Sequence, residues 1–375
     1  MSDDTKNPTP ADSTATAKAV HEQVVAHETG RDASEPPVPR SNQIVKEIFG
    51  GSAAISVLAV VLALVFGGIL IVLTDETVAQ TSAYFFSRPT DMLVAMWDAV
   101  AGAYSALFRG SVFNYLRADD LAVAIRPLTE TLANATPLIA AGLGVALAFR
   151  VGLFNIGGRG QMLIAAAAAG YVGAYIPMPP VIHLIVALVI GLIGGALWGG
   201  LVGLLKARTG AHEVIVTIML NYIAFYLVSF LLRTPGALQA PGQNNPKSGP
   251  ILDSAQFPPL LGDQYNLNLG FILVIVATIY VWYLLNRSAL GFRFRAVGEN
   301  PSAARVAGIK VERVYVQVML IAGALVGLAG VYQVLGNFTG GFASGLDASI
   351  GFDAITVALL GRSKPWGVFF AGILF

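Results

Sequence analysis

Residues 181–205 read VIHLIVALVIGLIGGALWGGLVGLL, with no Asp, Glu, Lys or Arg anywhere in the stretch. A helix needs roughly 20 such residues to cross the ~30 Å hydrocarbon layer of a bilayer. The stretch is too long for a buried strand and too apolar for a helix with one face in water. It predicts a transmembrane helix. Gly191, Gly195, Gly199 and Gly203 recur every four residues within it and line one helix face, a smooth stripe against which a second helix packs closely.

The same material recurs on both sides. Further apolar spans are expected at Ser52–Leu73, about Leu132–Phe149, Ile156–Ile176, Val214–Leu232, Leu269–Leu285 and Val314–Leu335, with a shorter one near Ile350–Leu360. A last apolar run begins at Trp366 and is still apolar at Phe375, so further chain is expected beyond it. Gly323 and Gly327, and the run Ala165–Ala169, repeat the small-residue pattern. Composition agrees. Of 375 residues, 55% are hydrophobic and only 12% charged, and the mean hydropathy is +0.68. Soluble domains carry about 25% charged residues. The fold class is therefore an all-α polytopic membrane protein, with roughly eight to ten transmembrane helices.

Lys and Arg orient the spans. With the N-terminus in the cytoplasm, the inner side carries Arg40, Lys46, Arg150, Lys206, Arg208, Arg287, Arg293, Arg295, Arg305, Lys310, Arg313, Arg362 and Lys364. The outer side carries Arg88, Arg109, Arg117, Arg126, Arg233 and Lys247. Residues 1–45, rich in Asp, Thr, Pro and Ala, bury too little to offset chain entropy and are expected to form a disordered cytoplasmic tail. Residues 46–375 form the membrane domain. Two external loops are expected, 78–120 and 234–268. The first holds an amphipathic interfacial helix at Met92–Phe108. The second, with TPGALQAPGQNNPKSGP at 234–250, is a docking surface for an external partner.

Several chemistries are excluded. There is no cysteine, hence no disulfide or thiolate metal site. Of the four histidines, His21 and His27 lie in the tail and His183 at a span start, so no metal centre is expected. A net charge of +1 offers no field for nucleic acid. No Ser/His/Asp set, paired carboxylates or phosphate-binding loop occurs, so any motor lies in another chain.

The informative residues are polar ones at membrane depth. Phe154-Asn155-Ile156-Gly157-Gly158-Arg159-Gly160-Gln161 opens one span, and Gly351-Phe352-Asp353 opens another that runs to Gly361. Two Gly-interrupted segments, one in each half, point to helices broken around a transport site. The alternative at the first is a turn followed by an ordinary helix, with Arg159 among lipid headgroups. Glu213, Thr217 and Asn221 share one helix face beside Tyr222. Either the stripe lines a pathway, or Glu213 serves the helix start and Asn221 bonds to a neighbouring helix.

The loop 286–313, NRSALGFRFRAVGENPSAARVAGIKVER, contains a punctuated short helix: Asn300 as cap, Pro301 in the first turn, Gly308 as stop. Flanked by basic residues, it is a docking element; the alternative is a plain positive-inside loop.

Four segments, GLFNIGGRGQMLI (152–164), AHEVIVTIMLNYIA (211–224), LGFRFRAVGENPSAARVAGI (290–309) and GFDAITVALLGRSKP (351–365), resemble in order the permease subunits of bacterial ABC importers that handle branched-chain amino acids, ribose-type sugars and nucleosides. The likeness is strongest to the longer of the two paired permeases of nucleoside importers, those served by a lipoprotein of the basic-membrane-protein type. The resemblance implies a multi-pass protein of the bacterial inner membrane with no ATP site or cofactor of its own. ATP and Mg belong to partner ATPase subunits. A second permease, usually a paralogue, and an external substrate-binding lipoprotein complete the assembly. It further implies that Arg293, Arg295, Glu299, Asn300, Pro301, Ala303, Ala304 and Gly308 form the element that couples to the ATPase, and that the FNIG…GQ and GFD segments line the pathway. The sequence departs from the family pattern at Arg159, where an acidic residue is usual, and at His212, where Asn is common.

For a nucleoside, Phe154, Asn155, Gln161, Asn221, Tyr222 and Phe352 supply aromatic faces and amides. The same residues suit a simple sugar, and branched-chain amino acids remain a further alternative. A self-sufficient secondary transporter needs acids inside the membrane. The spans offer very few, chiefly Glu213 and Asp353, neither of them deep, which argues against it.

Overall fold

The computed structural model describes residues 52–375. The expected tail at 1–45 lies outside the described residues. All regular structure among those residues is helical, apart from two isolated bridges, Gln239 to Ser248 and Pro259 to Asn268.

The chain divides into two units at Tyr104 and Ser105. In the first, helix α1 (Ser52–Thr74) is followed by α2 (Glu76–Ser82), the two bent by 67° at the break. Asp75 sets the bend, its carboxylate accepting from the Val78 N–H at 2.9 Å. Helix α3 (Pro89–Ser111) begins in this unit and covers the segment expected to lie in the interface. The Tyr104 hydroxyl donates to the Leu64 carbonyl.

The second unit holds α4 (Leu121–Ala124), α5 (Arg126–Phe149), α6 (Gly158–Tyr175), α7 (Pro180–Thr209), α8 (Glu213–Leu231), α9 (Gly270–Arg287), α10 (Ala289–Glu299), α11 (Pro301–Val306), α12 (Val311–Tyr332), α13 (Ile350–Leu360) and α14 (Pro365–Leu374). In lipid every backbone polar group must be satisfied within its own segment, so apolar runs become helices and irregular backbone is confined to protected places. Local chemistry sets the ends. Pro180 sits in the first turn of α7, and Gly210, at φ +69°, closes it in a left-handed conformation that costs glycine no Cβ clash.

Five helical stretches are long and apolar enough to span: Leu121–Phe149, Pro180–Thr209, Glu213–Leu231, Gly270–Arg287 and Val311–Asn337, or six if the bent pair is one span. The higher count expected from sequence included α6, α13 and α14. These are short, or diluted by Gly and Ala, and α6 and α13 begin at breaks rather than at a membrane face.

Helices α5 and α12 are largely buried, whereas α7 and α8 leave most of their apolar surface outside. Ile185, Ile193 and Leu197 on α7 and Tyr226 and Phe230 on α8 are exposed. Helices apolar all round and so exposed require a lipid solvent. The inner face of α7 is the glycine stripe, pressed on α12. A β-carbon added at Gly195 would lie 2.5 Å from the Gly323 carbonyl oxygen, and one at Gly199 2.5 Å from that of Met319. Gly203 approaches Tyr315 and Gly191 the Val331 side chain in the same way.

One end of this unit is basic. Arg150 after α5 donates from Nε to the Ser363 carbonyl at 2.9 Å, tying the α5 end to the α13–α14 turn. Lys206 near the α7 end pairs with Glu213 at the α8 start, 2.6 Å apart.

Candidate functional site: the junction of two broken helices

Helix α5 stops at Phe149. The chain then leaves the helix through a hydrogen-bonded turn with Gly152 at φ +75° and runs irregularly until α6 starts at Gly158. The first turn of a helix has N–H groups without partners inside the helix. Here amides supply them. Asn155 Oδ1 accepts from the Gly157 N–H at 3.0 Å, and Asn221 Oδ1 from the Gly160 N–H at 2.8 Å. Asn221 Nδ2 donates to the Ile156 carbonyl at 2.9 Å, and Asn155 and Gln161 exchange bonds at 3.3 and 3.2 Å. All three amides are buried. They fasten the start of α6 to α8.

The second break follows α12, which ends in a π-helical turn, Gln333–Asn337. Residues 338–349 are irregular. Ala348 and Ser349 adopt left-handed backbone at φ 39° and 68°, which costs non-glycine residues of order 1–3 kcal/mol each and persists only where the surroundings impose it. Helix α13 starts at Ile350 and meets α6 start to start. A β-carbon at Gly351 would lie 2.4 Å from the Arg159 backbone nitrogen, and one at Gly158 2.8 Å from the Gly351 carbonyl oxygen.

An ion pair spans this junction: Arg159 Nε lies 3.0 Å from Asp347 Oδ2. Asp347 is 4% exposed, and the Arg159 guanidinium sits over the Phe225 ring at 4.7 Å. Arg159 is thus bound in protein rather than among headgroups, and an arginine where an acid is usual in the resembling family has an acid opposite it. Asp347 escaped the sequence reading. The available signal was the question of what neutralises an arginine at that depth.

The other sequence candidates separate into groups. Asn155, Gln161 and Asn221 come together at the junction, and Thr217 packs beside Gly157 with its hydroxyl donating to the Val214 carbonyl at 3.0 Å. Glu213, Thr217 and Asn221 do share a face, but it is a buried one, and Asn221 bonds to the neighbouring helix. Glu213 belongs to the basic end with Lys206. Phe154 is half-exposed and stacks on Phe149 at 4.8 Å. Tyr222 and Phe352 are exposed, and Asp353 lies in the first turn of α13, a favourable place for an acid.

The basic end carries the second group. Phe294 and Val297 bury α10, and Arg295 donates to the Leu285 carbonyl. Asn300 Oδ1 accepts from the Ser302 and Ala303 N–H groups, both at 3.0 Å, and Pro301 opens α11. Ala304 is buried, while Arg293, Glu299, Ala303 and Gly308 are exposed, and Val306 is 92% exposed. Gly308, at φ +81°, ends the turn. The basic end thus presents a short capped helix with an exposed valine at its tip.

Comparison with known proteins agrees with this architecture. Residues 128–375 match the family described as branched-chain amino acid transport system / permease component. The chain is 40% identical over 287 residues to the guanosine ABC transporter permease protein NupP of Bacillus subtilis, covering 76% of this chain and 78% of that one. It is 35% identical over 257 residues to a glucose ABC transporter permease protein of Haloferax volcanii, with 66% and 67% covered. A nucleoside ABC transporter permease protein of Lactococcus lactis, NupB, is 34% identical over 256 residues, with 67% and 70% covered. No solved structure matches the chain at a significant level. With the apolar helices, the two breaks and matches over most of its length, the chain is a multi-pass membrane protein belonging to the branched-chain amino acid transport system permease family.

Proposed function

We propose that the chain is the membrane subunit of an ATP-driven importer that moves nucleosides inward. The observation that carries the substrate class is the 40% identity, over three quarters of the chain, to a permease named for guanosine. The junction supports the pathway. Two helix starts converge there, with the aromatic face of Phe352 exposed in the first turn of α13 and that of Phe154 in the segment before α6, for a ligand that stacks. The exposed, capped α11 is the coupling element. An ATPase seated on it drives the two broken helices between outward- and inward-facing arrangements.

In this scheme the basic end faces the cytoplasm and the loop 234–268 faces an external binding lipoprotein. ATP and Mg are held by the ATPase subunits, and a second permease, a paralogue, completes the core. The chain itself hydrolyses nothing. The glucose permease at 35% identity favours a second substrate class, simple sugars, through the same architecture.

Reconstitution tests both. Liposomes holding this chain with its partner permease, ATPases and binding protein are expected to accumulate labelled guanosine only with ATP. Hydrolysis without guanosine movement, but with glucose movement, moves the assignment to sugars. Accumulation by this chain alone contradicts the ATP-driven scheme. Replacing Glu299 and Pro301 together is expected to leave hydrolysis and abolish uptake.

A further inference from the structure

We infer that the basic end of the second unit holds a site for a phosphate-bearing lipid headgroup, between the ends of α5 and α9 and the start of α14. A pocket of about 300 Å³ there is lined by Arg150, Arg295, Lys364, Asn286, Trp282 and Trp366, among others, and by no acidic residue. None of the three cations is in an ion pair among the described residues.

The two guanidinium groups are held in place. Arg150 donates from Nε to the Ser363 carbonyl at 2.9 Å, and Arg295 from Nη1 to the Leu285 carbonyl. Each therefore presents its remaining N–H donors from a fixed position, the geometry that binds phosphate oxygens in pairs. Lys364 is exposed and adds a mobile charge.

The surroundings favour a lipid over a free anion. Trp282 and Trp366 are half-exposed at the pocket, where tryptophans anchor at the level of headgroups. From the pocket, α9 continues along its exposed apolar residues Ile279 and Tyr283, and α14 along Phe370. A charged cup opening onto an apolar surface matches an anionic phospholipid, headgroup above and acyl chains alongside. The inference rests on the membrane location and not on the transported substrate.

The test uses the full chain purified in detergent. Native mass spectrometry after addition of phosphatidylglycerol or phosphatidylcholine at equal concentration counts retained lipid. Preferential retention of phosphatidylglycerol is expected. Lys364→Gln is expected to reduce that preference about fivefold, the effect of one cation near an anionic surface. Arg150→Gln is expected to do the same or more, provided it stays monodisperse. Arg208→Gln, an exposed cation outside the pocket, is expected to change nothing.

Equal retention of both lipids overturns the site, as does equal loss with Arg208→Gln. Displacement of the lipid by millimolar inorganic phosphate alone reassigns the pocket to a free anion. Unchanged lipid retention in Lys364→Gln with weakened ATPase co-purification assigns it to the partner protein instead.

Discussion

Two close helix contacts in the second unit are made in opposite ways. Helices α7 and α12 touch side to side through bare glycines, with every backbone group already satisfied within its own helix. Helices α6 and α13 touch start to start, where first-turn backbone donors have no partner within their own helix and amides, an ion pair and left-handed residues surround the contact. The first contact is apolar and long, and any side chain added to it collides with backbone. The second is short: its glycines, Gly158 and Gly351, also leave no room for a β-carbon, but buried amides and an ion pair surround it. The difference separates a long apolar seam from a short contact ringed by polar groups, and under the proposed function the seam is scaffold and the α6–α13 junction the part that rearranges.

Substitutions test that division, the largest effect first. Gly195→Val places branched carbons where a single one already lies 2.5 Å from the Gly323 carbonyl oxygen. Overpacking against rigid backbone is expected to cost about 3 kcal/mol, seen as a fall in melting temperature and in membrane-inserted protein. Arg159→Gln leaves Asp347 buried beside a neutral partner. The expected loss is on the order of 2 kcal/mol, less than the 3–5 of a fully buried pair because Arg159 is partly exposed. Adding Asp347→Asn to the same chain is expected to recover about half of it, since a neutral pair leaves no uncompensated charge; no recovery in the melting curve would show that the two residues act independently.

Asn221→Ala removes one acceptor and one donor from the α6 start, at a cost of about 1–2 kcal/mol. Here uptake is expected to fall further than stability, and a stability loss without an uptake defect would place Asn221 in the scaffold. The smallest effect on stability is expected at the basic end. Asn300→Ala uncaps the exposed α11 for about 1 kcal/mol or less. The global melting temperature should hardly move, while co-purification of the ATPase weakens.

Much of the scaffold was legible in the sequence because its causes are local. Length and apolarity announce each full span, the four-residue period of Gly191 to Gly203 announces a packing face, and Asn300-Pro301 with Gly308 announces a short helix. That helices are interrupted near 154–161 and 351–353 was legible because clustered glycine and amide at membrane depth have few other uses, but the irregular backbone lies earlier, at 150–157 and 338–349, and 351–353 already belong to a helix. What joins the breaks was not legible. The Arg159–Asp347 pair and the bond from Gly160 to Asn221 link residues far apart along the chain, and no periodicity connects them. Glu213 is instructive in the other direction. It shares a helix face with Thr217 and Asn221, yet its charge is met by Lys206 at the basic end. Position on a face said which residues are buried, not which partner each one finds.

The most direct test of the account exploits the absence of cysteine from these 375 residues, so that labelling of this subunit is read against the chain without the introduced thiol. Phe352 at the start of α13 and Ile193 on α7 are both 47% exposed, but the account puts the first in a water-filled pathway and the second in lipid. Phe352→Cys and Ile193→Cys, each in the assembled importer, are treated with a membrane-impermeant maleimide with and without guanosine. The account predicts rapid labelling at 352, slowed by guanosine, and none at 193. Labelling at neither position, or equal labelling at both and indifferent to guanosine, would contradict the assignment of the α6–α13 junction as the transport pathway.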